Sequence, residues 1–314
     1  MSHLAFIFPG QGSQEVGMGK ALADAFPAAK AVFEEVDDAL GEPLSALIWE
    51  GPIETLTLTA NTQPALMAVS VAAMRALDAE RGIGVDAAAF VAGHSLGEYS
   101  ALCAAGALGV GDTAKLLRIR GEAMQAAVPA GEGAMAALLG ADMDQAEAAC
   151  AAGVAAGGVC EIANDNAIGQ VVLSGSKAAI EAACENAKAS GVKKAVPLAV
   201  SAPFHCSLMQ PAADAMADAL SATEIHPPKV PVITNVTAGP VQDPEAIRKG
   251  LVDQVTGRVR WRESVTRMAD LGVTATAELG AGKVLTVMNR RIVKALKGST
   301  VGTPEEIAAF NPSA

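Results

Sequence analysis

Aromatic side chains are scarce in this sequence. They make up 3% of 314 residues, with one tyrosine and two tryptophans. Basic residues are also in deficit, 23 against 34 acidic ones, for a formal charge of −11. Nucleic-acid binders show the opposite balance, because phosphates demand basic patches and bases demand stacking platforms. No run of 18 uncharged apolar residues occurs, so no membrane-spanning helix is expected. Nor is a secretory signal expected. Met1-Ser2-His3-Leu4 carries no basic stretch, and Pro9-Gly10-Gln11-Gly12 breaks the short apolar run Leu4–Phe8. The five cysteines (Cys103, Cys150, Cys160, Cys184 and Cys206) are odd in number and irregularly spaced, which excludes a disulfide framework and a zinc-ligand pattern. A reducing compartment, hence the cytoplasm, is expected. Asn235-Val236-Thr237 matches a glycosylation acceptor and is read as chance.

What is abundant is core material. Hydrophobic residues make up 51% and charged residues 18%, which rules out a disordered chain. Leu4–Phe8 reads as a buried strand, Ala65–Arg81 as a helix ending at Gly82, and Ala88–Ala92 as a second strand. Gly93-His94-Ser95-Leu96-Gly97 and an Ala-rich helix follow, the strand–turn–helix order of a parallel α/β sheet. Asp112–Ala127 reads as a helix with Asp112 as N-cap. Residues 133–200 have their own order. Ala134–Leu139 is a strand and Asp142–Ala152 a helix. Val159–Ala163 and Gln170–Leu173 are strands around a polar Asn-Asp-Asn loop. Lys177–Ser190 is a helix and Val192–Val200 a strand. This β-α-β-β-α-β series is ferredoxin-like. Val230–Asn235 and Thr274–Leu279 read as further strands. Pro244–Gln254 and Trp261–Leu271 read as helices, as does a basic segment through Lys297. The expected fold is a larger α/β unit with a parallel sheet, discontinuous over 1–130 and 200–297. A small ferredoxin-like unit at 131–199 is inserted, and 298–314 is read as a partly disordered tail.

Gly-x-Ser-x-Gly between a strand and a helix is the pattern of a nucleophile elbow, with Ser95 exposed on a strained turn. Such a serine needs a base. Of the four histidines, His3 is terminal, His226 precedes Pro227-Pro228, and His94 adjoins the serine and reads as structural or orienting. His205, in a Pro-marked loop after a strand, is the best candidate. A Gly10-x-Gly12 pair lacks the third dinucleotide glycine, since position 15 is Glu15. Gly282-Lys283 fails as a phosphate loop, because Ala277 and Val284 stand at the required positions.

Several further motifs occur in order. They are Pro9-Gly10-Gln11-Gly12-Ser13-Gln14, Thr62-Gln63-Pro64-Ala65, Gly93 to Tyr99, Arg120-Gly121, Pro203-Phe204-His205, Asn235-Val236 and Gly280 to Leu285. Together the set resembles the malonyl-CoA:acyl carrier protein transacylases of type II fatty acid synthesis, over nearly the whole chain. The resemblance implies an α/β-hydrolase-like core with parallel sheet around the ferredoxin-like insert, and it implies that Ser95 carries the malonyl ester and His205 is the general base. It implies the backbone N–H groups of Gln11 and Leu96 as oxyanion donors and Arg120 as the clamp on the malonyl carboxylate. Gln63 and Asn166 would line the site, and the backbone carbonyl of Gln254 would orient the histidine in place of a triad acid. It implies no bound cofactor or metal, coenzyme A thioester and phosphopantetheine being substrate carriers. The bulky Phe204 before the base is expected to crowd an α-methyl branch and favour malonyl over methylmalonyl. Cys206 is read as a small buried residue.

Residues 251–300 carry nine basic and four acidic residues, against the acidity of the rest. The family's partner, acyl carrier protein, is acidic, so docking is expected on a patch including Arg290, Arg291 and Lys294, with Lys193 and Lys194 as contributors. Two other functions fit parts of the pattern. One is a serine hydrolase or thioesterase using the same elbow; the other is a non-catalytic scaffold for the carrier protein.

Overall fold

The computed structural model describes residues 3–312, so the readings that touch Met1, Ser2, Ser313 and Ala314 lie outside the described residues. Ten strands form two sheets. The larger holds β1 (Leu4–Phe8), β2 (Phe90–Gly93), β7 (Val232–Ile233), β8 (Pro240–Val241), β9 (Ala275–Leu279) and β10 (Lys297–Val301), in the order β10-β9-β1-β2-β7-β8. Its neighbours run parallel, except the β7–β8 hairpin. Every residue of β1 is buried. Its alternate side chains serve two cores, as the two-residue period of a strand requires. Leu4, Phe6 and Phe8 join the cluster under helices Thr59–Arg81 and Val110–Ala126. Ala5 and Ile7 join the cluster with Trp261, Val265 and Leu285 from helices Trp261–Asp270 and Val284–Ile292. Register places Phe8 beside Gly93, so β1 and β2 end together and the loops after them share one rim. Ligand sites in open parallel sheets lie at such strand ends.

The second sheet holds β3 (Gly133–Leu139), β4 (Cys160–Ala167), β5 (Gln170–Ser176) and β6 (Lys194–Pro197) in the order β4-β5-β3-β6, with all neighbours antiparallel. Helices Met143–Ala155 and Lys177–Ala189 pack on it around their own apolar cluster. This is the expected βαββαβ series. Asp142 caps the first of these helices in a capping box with Gln145.

Six readings are corrected. Asn164-Asp165-Asn166 is not a loop but the bulged end of β4. Its polar side chains are buried because they face partners across the two sheets' boundary rather than solvent. Asp112 does not cap its helix, which starts at Val110 after Gly109; it lies in the first turn, where a negative charge still suits the helix dipole. Residues 298–312 are not a loose tail. Lys297–Val301 pairs in parallel with β9, and helix Pro304–Ala309 follows. An edge strand of Lys, Gly, Ser and Thr carries no apolar run to announce it. The strand read over Val192–Val200 shrinks to Lys194–Pro197, and that over Val230–Asn235 to two residues. The helix read at Ala65 begins at Thr59 and takes in Pro64. Among the described residues, no helix is long and apolar enough to cross a membrane.

β4 is stitched to the larger sheet's helices. The N–H of Asp165 donates to the Val259 carbonyl at 2.9 Å, and the N–H of Val259 to the Ala163 carbonyl at 2.8 Å. Arg262 forks onto Asp165, with Nε–Oδ1 at 2.9 Å and Nη2–Oδ2 at 2.6 Å. Asp165 is 1% exposed and Arg262 about a third exposed. Breaking a fully buried pair costs about 3–5 kcal/mol. With its head partly in water, Arg262→Ala is expected to cost about 2 kcal/mol, read as a lower urea midpoint at unchanged slope.

Candidate active site

The turn after β2 explains the two glycines around the serine. A Cβ on Gly93 would sit 1.9 Å from the Gly97 carbonyl, and one on Gly97 2.3 Å from the Phe8 carbonyl. Strand and helix approach too closely for any side chain there. Ser95 has φ 53°, in the left-handed region that costs non-glycine residues energy. Asn235 holds the turn: its Oδ1 accepts from the Ser95 N–H at 2.7 Å, and its Nδ2 donates to the Gly93 carbonyl at 2.6 Å.

His205, with φ 59°, lies across from the turn. Its Nε2 is 2.7 Å from Ser95 Oγ, and its Nδ1 is 2.9 Å from the backbone carbonyl of Gln254. A carbonyl can only accept, so Nδ1 carries the proton and Nε2 offers its lone pair to the serine hydroxyl. Arg120, 1% exposed, reaches the same oxygen with Nη2 at 3.2 Å. Its other partners are neutral: Gln63 Oε1 at 2.7 Å and Gln254 Oε1 at 2.9 Å. The ring of Tyr99 lies 5.7 Å from the guanidinium carbon. Small size at Gly121 lets this helix reach the site, because a Cβ there would meet the Ala60 backbone at 2.6 Å.

A cleft of about 370 Å³ opens over Ser95. Gln11, Gln63, Leu96, Arg120, Asn166 and His205 line it, as does Phe204. Leu96 is the N-cap of helix Gly97–Ala104, so the helix's positive end faces the cleft. Asn166 enters from β4 and binds the His94 ring, Oδ1 to Nε2 at 2.8 Å. All eight residues singled out from the sequence thus meet at or directly behind one cleft. Arg290, Arg291 and Lys294 are exposed and lie elsewhere, on and after helix Val284–Ile292. A serine with a neutral base, beside a buried cation that lacks a carboxylate partner, is equipped for acyl transfer on a negatively charged acyl group.

The acyl transferase domain family matches residues 5–307. The malonyl CoA-acyl carrier protein transacylase of Bacillus subtilis is 47% identical over 307 residues, 98% of this chain and 96% of its own. The chain belongs to the malonyl CoA-acyl carrier protein transacylases. The crystal structure of the acyl-carrier-protein S-malonyltransferase of Bartonella henselae is 57% identical, with TM-score 0.95 over 98% of both chains. A malonyl-transacylase solved with a type II PKS acyl-carrier protein is 44% identical, with TM-score 0.93 over 97% of both chains.

Two residues of this transacylase's site had no role in the sequence reading. Asn235 was counted in one motif of the resemblance and as a chance glycosylation match, with no role assigned. Glu98 had a visible signal: a charge inside an otherwise apolar helix. It is 1% exposed, and Oε2 accepts from the Asn235 N–H at 2.9 Å and from Gln254 Nε2 at 2.8 Å. Burial pushes its pKa up from 4.5 to about 7, against the pull of those two donors and of Arg120. Burial, and then the charge of Arg120, lower His205 from 6.5 to about 3. The imidazole is therefore neutral at pH 7. The two shifts act oppositely on stability. Between pH 3 and 6.5 the unfolded chain holds a proton on His205 that the folded one refuses, so stability falls with acid. Between pH 4.5 and 7 the folded chain holds a proton on Glu98 that the unfolded one has released, so stability falls as pH rises. Glu98→Gln removes the second effect alone. Its stability relative to the parent should rise between pH 4.5 and 7 by on the order of 2 kcal/mol, in urea melts at pH 5, 6, 7 and 8. A flat difference would show that Glu98 ionises as an ordinary carboxylate.

Proposed function

We propose that this acyltransferase moves malonyl from malonyl-CoA to the phosphopantetheine thiol of acyl carrier protein, in the cytoplasm, for fatty acid chain elongation. The observation that carries the reading is the guanidinium of Arg120, buried beside Ser95 Oγ with only neutral acceptors around it. Its planar fork suits the carboxylate of a malonyl group. Ser95 Oγ attacks the thioester carbonyl while His205 Nε2 takes its proton. The backbone N–H groups of Gln11 and Leu96 receive the negative oxygen. The C–S bond breaks, and coenzyme A leaves with the proton from His205. In the second half the phosphopantetheine thiol gives its proton to His205 and attacks the ester. The C–O bond breaks, and Ser95 regains the proton. The cycle calls on no bound cofactor or metal, because coenzyme A and phosphopantetheine are carriers of the acyl group. Gln63 holds Arg120, Gln254 O holds His205, and Asn166 lines the path. Phe204 crowds an α-methyl branch, worth about 1–3 kcal/mol in favour of malonyl. The division into 1–130 with 200–297, extended by β10, and 131–199 places the two halves of the cleft on different units.

Intact-protein mass spectrometry after mixing with malonyl-CoA tests the chemistry. A malonyl adduct is expected on the parent and none on Ser95→Ala. An adduct lost to water before any thiol is added would favour the hydrolase, and no adduct at all the scaffold. Arg120→Ala should lower malonyl loading by a hundredfold or so, the ~3 kcal/mol of a buried charge pair, and spare acetyl loading more.

Carrier-protein docking on Arg290, Arg291 and Lys294, aided by Lys193 and Lys194, is part of the same reading. A chain of charge −11 needs a local basic surface to attract an acidic partner. Arg290→Glu with Arg291→Glu should raise KM for carrier protein about tenfold at low salt and less at high salt, with ester formation from malonyl-CoA unchanged. Equal KM values in both buffers would remove the patch from the account.

A further inference from the structure

Glu98 touches none of the reacting groups, yet it stands behind all three. Its Oε2 accepts from the Asn235 backbone and the Gln254 side chain. Asn235 in turn holds the N–H of Ser95. Gln254 holds His205 through its backbone carbonyl and Arg120 through Oε1, and its Nε2 also donates to the Ser95 carbonyl at 3.1 Å.

A carboxamide is nearly symmetric in shape but not in chemistry. With Nε2 committed to Glu98 and the Ser95 carbonyl, the Gln254 oxygen must face Arg120. Turned over, its NH2 would meet guanidinium donors, and Arg120 would lose an acceptor in a buried site, where an unmade hydrogen bond is costly. Glu98 is the acceptor that decides between the two orientations. Its distance matters as well. A carboxylate set directly against Arg120 would occupy the fork that a substrate carboxylate needs. One set behind a carboxamide steadies the cation and leaves it open.

We propose that Glu98 is a positioning residue for the charged end of the acyl group: as a fixed acceptor behind Gln254 and Asn235, it aims Arg120 and so sets the preference for acyl groups that end in a carboxylate. This rests on the reading of Arg120 given above.

The test compares kcat and KM for malonyl-CoA and acetyl-CoA in the full chain and in Glu98→Ala, Glu98→Asp, Glu98→Gln and Arg120→Ala. Glu98→Ala should lower the malonyl-to-acetyl ratio of kcat/KM about tenfold or more, chiefly through a higher KM for malonyl-CoA. Glu98→Asp withdraws the carboxylate by one methylene; it should lose part of the ratio, and it decides the matter if the alanine variant does not fold. Glu98→Gln keeps an acceptor oxygen in place and should restore the ratio to within about threefold. Loss of both substrates at constant ratio in the alanine and aspartate variants would overturn the inference, as would a glutamine variant no better than alanine. Arg120→Ala separates the two claims. If it leaves the ratio unchanged, the carboxylate-binding reading itself fails. If it collapses the ratio while the alanine and aspartate variants do not, only the role of Glu98 fails.

Discussion

A cation sealed inside a protein without a direct counter-ion is expensive, because several kcal/mol of hydration are surrendered with no ion pair in return. Arg120 is such a cation. Burial lowers its pKa, Tyr99 and then Glu98 oppose that, and a guanidinium remains protonated. The fold tolerates it by supplying oxygens from Gln63 and Gln254 and the face of Tyr99. Those partners stabilise the charge without neutralising it. The cost is therefore only partly offset by the protein's own groups, and in the proposed reaction a ligand carboxylate would complete it. The same charge acts on His205, where it adds to burial in holding the imidazole neutral. In the proposed reaction, one buried guanidinium thus serves both the place for an anion and the neutral state of His205.

The backbone is arranged around that requirement. Ser95 and His205 both take left-handed φ values, each a local cost that surrounding contacts must hold in place. Asn235 and Glu98 secure the first, and the Gln254 carbonyl secures the ring of the second. The partners come from distant parts of the chain, and β4, which brings Asn164 and Asn166 to the cleft, is tied to Val259 and Arg262. Packing between the two sheets is therefore part of the site, although none of those tying residues faces Ser95.

Sequence legibility followed the range of each interaction. The elbow was readable because its pattern is compact: Gly93, Ser95 and Gly97 fall within five residues, although the clash that demands Gly97 comes from Phe8. The βαββαβ order was readable because alternation and helical periodicity are local too. Arg120, Gln63 and Gln254 were not readable from pattern, since a polar residue on a helix looks the same whether it meets water or a buried partner. Their placement came from resemblance. Asn164-Asp165-Asn166 was misread for the same reason, as the partners of Asp165 and Asn166 lie on a helix and a turn of the larger sheet's unit. β10 was missed because an edge strand can be polar throughout. Glu98 stood in plain view, but its meaning depends on Asn235 and Gln254, both more than a hundred residues away.

In the proposed reaction, the low pKa of His205 separates thiols from water. A base held near 3 gains little by taking a proton from water, whose own pKa is far higher, so hydrolysis of a serine ester is poorly assisted. A thiol with an intrinsic pKa near 8.5 gives up its proton much more readily and is the stronger nucleophile once it has done so. The imidazolium, once formed, is high in energy in its buried setting and returns its proton readily to a departing thiolate or to Ser95. A neutral backbone carbonyl on Nδ1, in place of a carboxylate, keeps that imidazolium unstable. In that reaction a neutral carbonyl on Nδ1 and the burial of the ring have the same consequence: an ester that waits for a thiol.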